Sequence, residues 1–195
     1  MARLGSPPRI IVFAGSIRSG ALSQKLADVA AKELALAEGD VTKVSLADYP
    51  LPIYNGDLET EKGIPENALK LARLIAAQQG VFIATPEYNN SPPPLLVNAI
   101  AWLSRIRESA GIKYRHRVYG IGSTSDGSIG GARALIDLRK LIASGVRGIL
   151  VPEKIEISRA QDAFDEAGEF IAEGPSKLLK ALARNLVELA ARMAD

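Results

Sequence analysis

Short apolar, β-branched runs recur along this chain at intervals that each leave room for one amphipathic helix. That alternation restricts the fold more than any other property of the sequence. Arg9 to Ala14 reads as a strand buried on both faces. The segment from Ser19 to Ala37 follows as a helix, with Leu22, Leu26, Val29, Ala30 and Leu34 at helical spacing and Gly39 ending it. Val41 to Leu46 alternates as a second strand, and Pro50 to Gly63 reads as a long loop. Pro65 opens a helix through Gln79, Gly80 closes it, and Val81 to Ala84 is the third strand. The triple proline Pro92-Pro93-Pro94 fits only before or in the first turn of a helix, which places that helix over Leu95 to Glu108. Arg117 to Ser123 is a fourth strand and Gly130 to Ala143 a helix. Gly148 to Val151 is a fifth strand stopped by Pro152, and irregular chain then leads to a last helix over Pro175 to Met193.

Strands alternating with helices pair in parallel, because right-handed crossovers place the helices over both faces of the sheet. The expectation is a three-layer α/β sandwich with a five-stranded parallel sheet in the order 2-1-3-4-5, the flavodoxin-like arrangement. In that order the switch point falls between strands one and three, so a ligand belongs at their carboxyl ends. With 195 residues, 1–195 reads as one domain.

Composition removes several classes of function. The 24 Lys and Arg balance 22 Asp and Glu, and no stretch concentrates the basic residues, so nucleic acid is not an expected partner. Cysteine is absent from the sequence and His116 is its one histidine, which excludes disulfides, thiolate chemistry and a multi-histidine metal site within one chain. Redox chemistry, if present, must come from a cofactor. Apolar runs fall far short of the ~20 residues of a membrane span. No membrane partner is expected, and the expected location is the cytoplasm.

Three polar turns follow strands one, three and four. Gly15-Ser16-Ile17-Arg18-Ser19-Gly20 has P-loop-like glycine spacing but lacks the Lys-Ser that would grip a triphosphate and magnesium. A terminal monophosphate suits it better, with backbone N–H groups, Ser16, Ser23 and Arg18 as donors. A capped helix start with a solvated arginine is the other reading. Thr85-Pro86-Glu87-Tyr88-Asn89-Asn90-Ser91 offers backbone groups and the Asn89 amide to the edge of a heterocycle, with Tyr88 placed to cover its face. It also reads as a plain turn before a helix. In Ser123-Thr124-Ser125-Asp126-Gly127-Ser128-Ile129-Gly130-Gly131, glycines would let backbone approach a ligand. His116 reads as solvated, Trp102 as core or interface, and no GxSxG elbow supports hydrolysis.

Together these residues resemble the NADPH-dependent FMN reductase family, which includes quinone, chromate and azo-dye reductases. The resemblance runs from about Arg9 to Arg192. It rests on Gly15-Ser16-x-Arg18, Thr85-Pro86-Glu87-Tyr88-Asn89 with Ser91, Asn98-Ala99-Ile100-x-Trp102-Leu103-Ser104, Gly127-x-x-Gly130-Gly131-x-Arg133 and Ala163-Phe164-Asp165. It implies non-covalent FMN and two-electron transfer from NAD(P)H to a small-molecule acceptor: a quinone, a flavin, an azo compound or a metal oxyanion. Carried over by position, Ser16, Arg18 and Ser23 would hold the phosphate. Pro86, Glu87, Tyr88 and Asn89 would frame the isoalloxazine, and Ser125 with Gly127 would line its other side. Ala21 stands where members often carry a serine. Members form homodimers or homotetramers through the helix after the Pro-Glu-Tyr-Asn turn. An electron carrier or redox sensor that holds FMN without turning over NAD(P)H is the alternative, disfavoured by the small net charge of +2.

Overall fold

The computed structural model describes residues 6–106 and 111–193. Its sheet has five parallel strands in the order β2-β1-β3-β4-β5, as the alternation of elements predicts. The strands are β1 (Arg9–Ala14), β2 (Asp40–Lys43), β3 (Gly80–Pro86), β4 (Val118–Thr124) and β5 (Ile149–Ile157). The described helices are α1 (Leu22–Leu36), α2 (Gly56–Lys62), α3 (Glu66–Ala76), α4 (Pro94–Arg105), α5 (Ala132–Lys140) and α6 (Glu173–Arg192).

Successive strand residues point to opposite faces, so a strand covered on both sides feeds two cores. Ile10, Val12, Phe82 and Ala84 enter one with α1 and α6. Ile11, Phe13, Val81 and Ile83 enter the other with α3, α4 and α5. Trp102 is fully buried in the second core, where its indole Nε1 donates to the Pro52 carbonyl at 2.7 Å and its ring meets Tyr54 edge-on at 5.0 Å. Asn98 adds two bonds to the same segment, accepting from the Tyr54 N–H and donating to Pro52 O. Trp102 is therefore the anchor of the 50–55 segment.

Several boundaries differ from the sequence reading for identifiable reasons. The Pro50–Gly63 loop contains α2, capped by the Asn55 side chain, which accepts from the Asp57 N–H at 2.8 Å, and closed by Gly63 at φ 76°. Its first turn carries Asp57 and Glu59, where the helix dipole favours acids. Strand β2 stops at Lys43 because Ser45 caps a short 3-10 turn over Leu46–Asp48. Helix α4 closes at Arg105; the expected end at Glu108 lies outside the described residues. Helix α5 ends at Lys140 and passes into a π turn over Leu141–Val146.

Pro152 does not stop β5. Tyr119 pairs with Leu150 and Ile121 with Lys154, so three β5 residues bulge opposite Gly120 and Pro152 lies among them. A proline without an N–H is tolerated there because β5 is an edge strand and the bulge leaves the position outside the ladder.

Candidate active site

Register aligns the carboxyl ends of the inner strands: Ala14 pairs with Ala84, Thr85 with Ser123 and Pro86 with Thr124. The Gly15 N–H donates to Ala84 O at 2.7 Å, which ties the first turn to the end of β3. The three predicted turns therefore emerge from adjacent strands on one sheet edge, at the switch point.

In the first turn Ser16 is buried, and its hydroxyl accepts from the Arg18 N–H at 3.3 Å. Accepting there leaves the O–H proton for a ligand. The Gln24 amide braces the loop by donating to Ser16 O and Arg18 O. Gly20, at φ 68°, turns the chain into α1, and Arg18 is solvent-exposed at the rim. The start of α1 has the features of an anion seat. Ala21 provides no side-chain cap, and the first turn contains no acid. The leading N–H groups of a helix lack intrahelical partners and carry the positive end of its dipole. Ser23 is fully buried, yet its Oγ has no hydrogen-bond partner. A buried orphan hydroxyl costs about 1–3 kcal/mol, and this one is sealed from solvent and does not line the neighbouring cavity. That cavity, of about 300 Å³, opens beside Ser16 and is lined also by Ala14, Gln24, Lys43, Ser45 and Asp48.

The second turn is a two-residue hairpin. Tyr88 and Ser91 exchange both backbone hydrogen bonds, at 2.9 and 3.0 Å, around Asn89 and Asn90 at φ 49° and 65°. Paired positive φ values are the signature of a type I′ turn, in which asparagine is tolerated. Thr85 at its root is buried, while Tyr88 remains about half exposed at 46%.

Helix α5 holds this turn at three points. The Glu87 carboxylate accepts from the Ala134 N–H at 3.0 Å, Arg133 donates to the Asn90 side-chain oxygen at 3.0 Å, and the Ser91 hydroxyl donates to Asp137 at 2.8 Å. Lys140 pairs with Asp137 at 2.6 Å. Lys140, and then Ser91, hold the Asp137 carboxyl below its ordinary value. Glu87 thus serves the uncapped α5 start with its side chain and meets the sheet edge only through its backbone. Asp137 was not legible as a site residue, because nothing in its sequence spacing connects it to Ser91.

The third turn corrects one expectation. Gly130 and Gly131 approach protein rather than ligand: a Cβ at Gly130 would lie 2.9 Å from the backbone at Glu156 and Ser158, and one at Gly131 2.9 Å from Ser123 Cβ. The Ser123 hydroxyl donates to Gly130 O at 2.6 Å. Ser125 and Gly127 remain at the edge, and the Ser125 hydroxyl accepts from the Gly127 N–H at 3.2 Å, repeating the Ser16–Arg18 arrangement. Backbone bonds from Ser125 N–H to Ile157 O and from Arg159 N–H to Gly127 O tie this loop to the end of β5. His116 is exposed before β4, on the opposite edge, and the described residues contain no cluster of metal-ligating side chains.

The five-stranded parallel sheet in this order, with three turns gathered at its switch point, is a flavodoxin-like α/β architecture. The sequence matches the NADPH-dependent FMN reductase family over residues 8–162, and the chain belongs to that family. It is 37% identical over 135 residues to a quinone reductase of Escherichia coli K12, covering 69% of each chain. To an NAD(P)H-dependent FMN reductase of Pseudomonas aeruginosa it is 32% identical over 174 residues, covering 88% of this chain and 89% of that one. Its fold superposes with a TM-score of 0.74 on FerB, a flavoenzyme NAD(P)H:(acceptor) oxidoreductase of Paracoccus denitrificans, at 29% identity over 95% of this chain and 98% of that one. The protein is an oxidoreductase that uses FMN with NAD(P)H. Among the described residues no helix is long and apolar enough to cross a membrane.

Proposed function

We propose that this single-domain chain passes two electrons from NAD(P)H through bound FMN to small, flat acceptors, with quinones foremost and azo compounds, free flavins and metal oxyanions also within its range. The observation that carries the site assignment is the uncapped, acid-free α1 start beside Ser16, whose hydroxyl accepts from the Arg18 N–H and keeps its proton for a ligand. That donor set suits the phosphate of FMN: Ser16, Arg18, Ser23 and the first N–H groups of α1 would supply hydrogen bonds and charge, and the first turn of the helix carries no acid. The backbone of Pro86 to Asn89 would frame one side of the ring system, with Tyr88 beside its face. Ser125 and Gly127 would line the other side.

When bound, FMN supplies the redox chemistry, accepting electrons from the nicotinamide and delivering them to the acceptor. The chain's own work is to hold and orient. The α5 contacts to Glu87, Asn90 and Ser91 fix the second turn before any ligand arrives, so little ordering cost falls on binding. No side chain need act as acid or base, in keeping with the absence of cysteine and with a lone, exposed histidine remote from the turns.

A nicotinamide-driven reductase belongs in the cytoplasm, where its reductant is regenerated, and we assign the chain there. On the family resemblance we also assign a homodimer or homotetramer, which sedimentation equilibrium tests directly. The deciding experiment for function is NADPH oxidation by FMN-loaded protein with benzoquinone as acceptor. Sustained turnover supports the reductase; FMN uptake without nicotinamide oxidation would leave the electron-carrier alternative standing.

A further inference from the structure

The cavity of about 300 Å³ beside Ser16 lies on the side of the first turn away from the second and third turns. Sheet order requires this: β2 flanks β1 on one side, and β3 and β4 lie on the other. A ligand with its ring system over the ends of β3 and β4 and its phosphate at the β1 turn is therefore extended, beyond that phosphate, over the end of β2. The cavity occupies that place, between Ala14 at the end of β1 and Lys43, Val44 and Ser45 at the end of β2. Its volume is at the lower end of the range for ligand sites, which suits a single nucleoside rather than a whole dinucleotide.

The polar groups around it are mixed in kind. Ser16 belongs both to the anion seat and to the cavity wall, so the two are continuous. Gln24 commits its amide N–H groups to Ser16 O and Arg18 O, at 3.1 and 3.4 Å, which leaves its Oε1 as an acceptor. The Ser45 hydroxyl accepts from the Ala47 N–H at 3.2 Å and keeps its proton. Lys43 is the cation of the lining and pairs with Asp28. Asp48, exposed in the 3-10 turn after β2, has no partner for its carboxylate among the described residues. A carboxylate accepts hydrogen bonds, donates none and repels phosphate, so the group that suits Asp48 is one rich in hydroxyls. The neighbouring hydroxyls of a ribose meet that need. An acid beyond the second strand, next to a phosphate-binding first turn, is how doubly wound α/β folds hold the ribose of a dinucleotide. Ala14 and Val44 add apolar surface for a flat base.

We infer that this cavity takes the adenosine of FAD, so that the chain accepts FAD as well as FMN, with Asp48 receiving the ribose hydroxyls and Lys43 the second phosphate. The inference rests on the flavin reading of the three turns, since it extends a ligand that they hold. It makes Asp48 a residue that distinguishes the two flavins while standing outside the FMN contacts.

The test is calorimetric titration of flavin-free protein with FMN and with FAD. Wild type should bind FAD at least as tightly as FMN. Asp48→Ala, at an exposed turn position, should weaken FAD about tenfold or more, the scale of a hydrogen bond to a charged group, and leave FMN within about twofold. Lys43→Gln should weaken FAD more than FMN. Binding of FAD about tenfold or more weaker than FMN in wild type would overturn the inference, as would an Asp48→Ala effect that is absent or equal for the two flavins. A raised KM for NADPH in FMN-loaded Asp48→Ala, with FAD affinity unchanged, would give the cavity to the nicotinamide nucleotide and overturn it too. Failure of wild type to bind either flavin would sink the flavin reading and this inference with it, whereas uptake of FMN without FAD would sink the inference alone.

Discussion

Replacing Gly131 by alanine probes whether the third turn is shaped by its own packing. Gly131 sits at φ 82°, and a Cβ there would lie 2.9 Å from Ser123 Cβ, 3.0 Å from Ser123 Oγ and 3.5 Å from Glu87 Cβ. Left-handed backbone costs a residue with a Cβ about 1–2 kcal/mol. Forcing a methyl against buried Ser123 adds about 1–3 kcal/mol of overpacking, since β4 is held between β3 and β5 and has little room to retreat. Together these give a loss of about 3 kcal/mol, a large share of the ~5–15 kcal/mol that holds a typical domain together, but short of abolishing folding. Urea unfolding of the FMN-free protein measures the loss. Fluorescence titration with FMN should show weakened binding, because displacing Ser123 disturbs its 2.6 Å bond to Gly130 O and the adjoining Glu87. A loss below about 1 kcal/mol with unchanged FMN affinity would refute the reasoning, since it would mean that the turn relaxes around the methyl at little cost.

Ser23→Ala should act with opposite signs on two measurements: unfolding of the FMN-free protein should show stability unchanged or raised by about 1 kcal/mol, because a buried orphan hydroxyl is removed, while FMN affinity should fall roughly tenfold. Trp102→Phe deletes the 2.7 Å bond to Pro52 O and should cost about 1–2 kcal/mol in urea unfolding, with faster proteolysis near the exposed Ile53. The depressed Asp137 carboxyl contributes stability that is fully present above its unfolded value of 3.8 and is lost as pH falls through the lower folded value. Asp137→Asn should therefore flatten the acid limb of the stability–pH curve, as followed by thermal melts below about pH 4.

The sheet order and the common edge of the three turns were legible because both follow from local pattern. Apolar β-branched runs such as Ile10 to Ala14 and Val81 to Ala84 admit few readings in a chain that alternates them with amphipathic helices. What stayed hidden depended on contacts distant in sequence. Nothing near Pro152 reveals that the chain resumes pairing with β4, so the proline reads as a stop. The α2 helix was masked by the Pro, Gly and acid content of its surroundings, although Asn55 and Gly63 mark its ends. Ser16 and Ser23 could be put forward as phosphate donors from the strand–turn–helix setting alone. The α5 supports could not be read in this way, because Ser91 and Asp137 lie 46 residues apart. Gly130 and Gly131 read as points of ligand approach because sequence cannot distinguish a glycine that admits a ligand from one that admits the chain's own backbone.

The bulge at Pro152 also bears on how this protein behaves when crowded. An outermost strand displays unpaired backbone groups that can recruit a foreign strand and propagate into fibrils. On β5 a missing donor, a local kink and the charged side chains of Glu153, Lys154 and Glu156 interrupt that template midway along its length. Straightening it, with Pro152→Val and the neighbouring charges removed, would be expected to turn a well-behaved enzyme into one prone to self-templated precipitation.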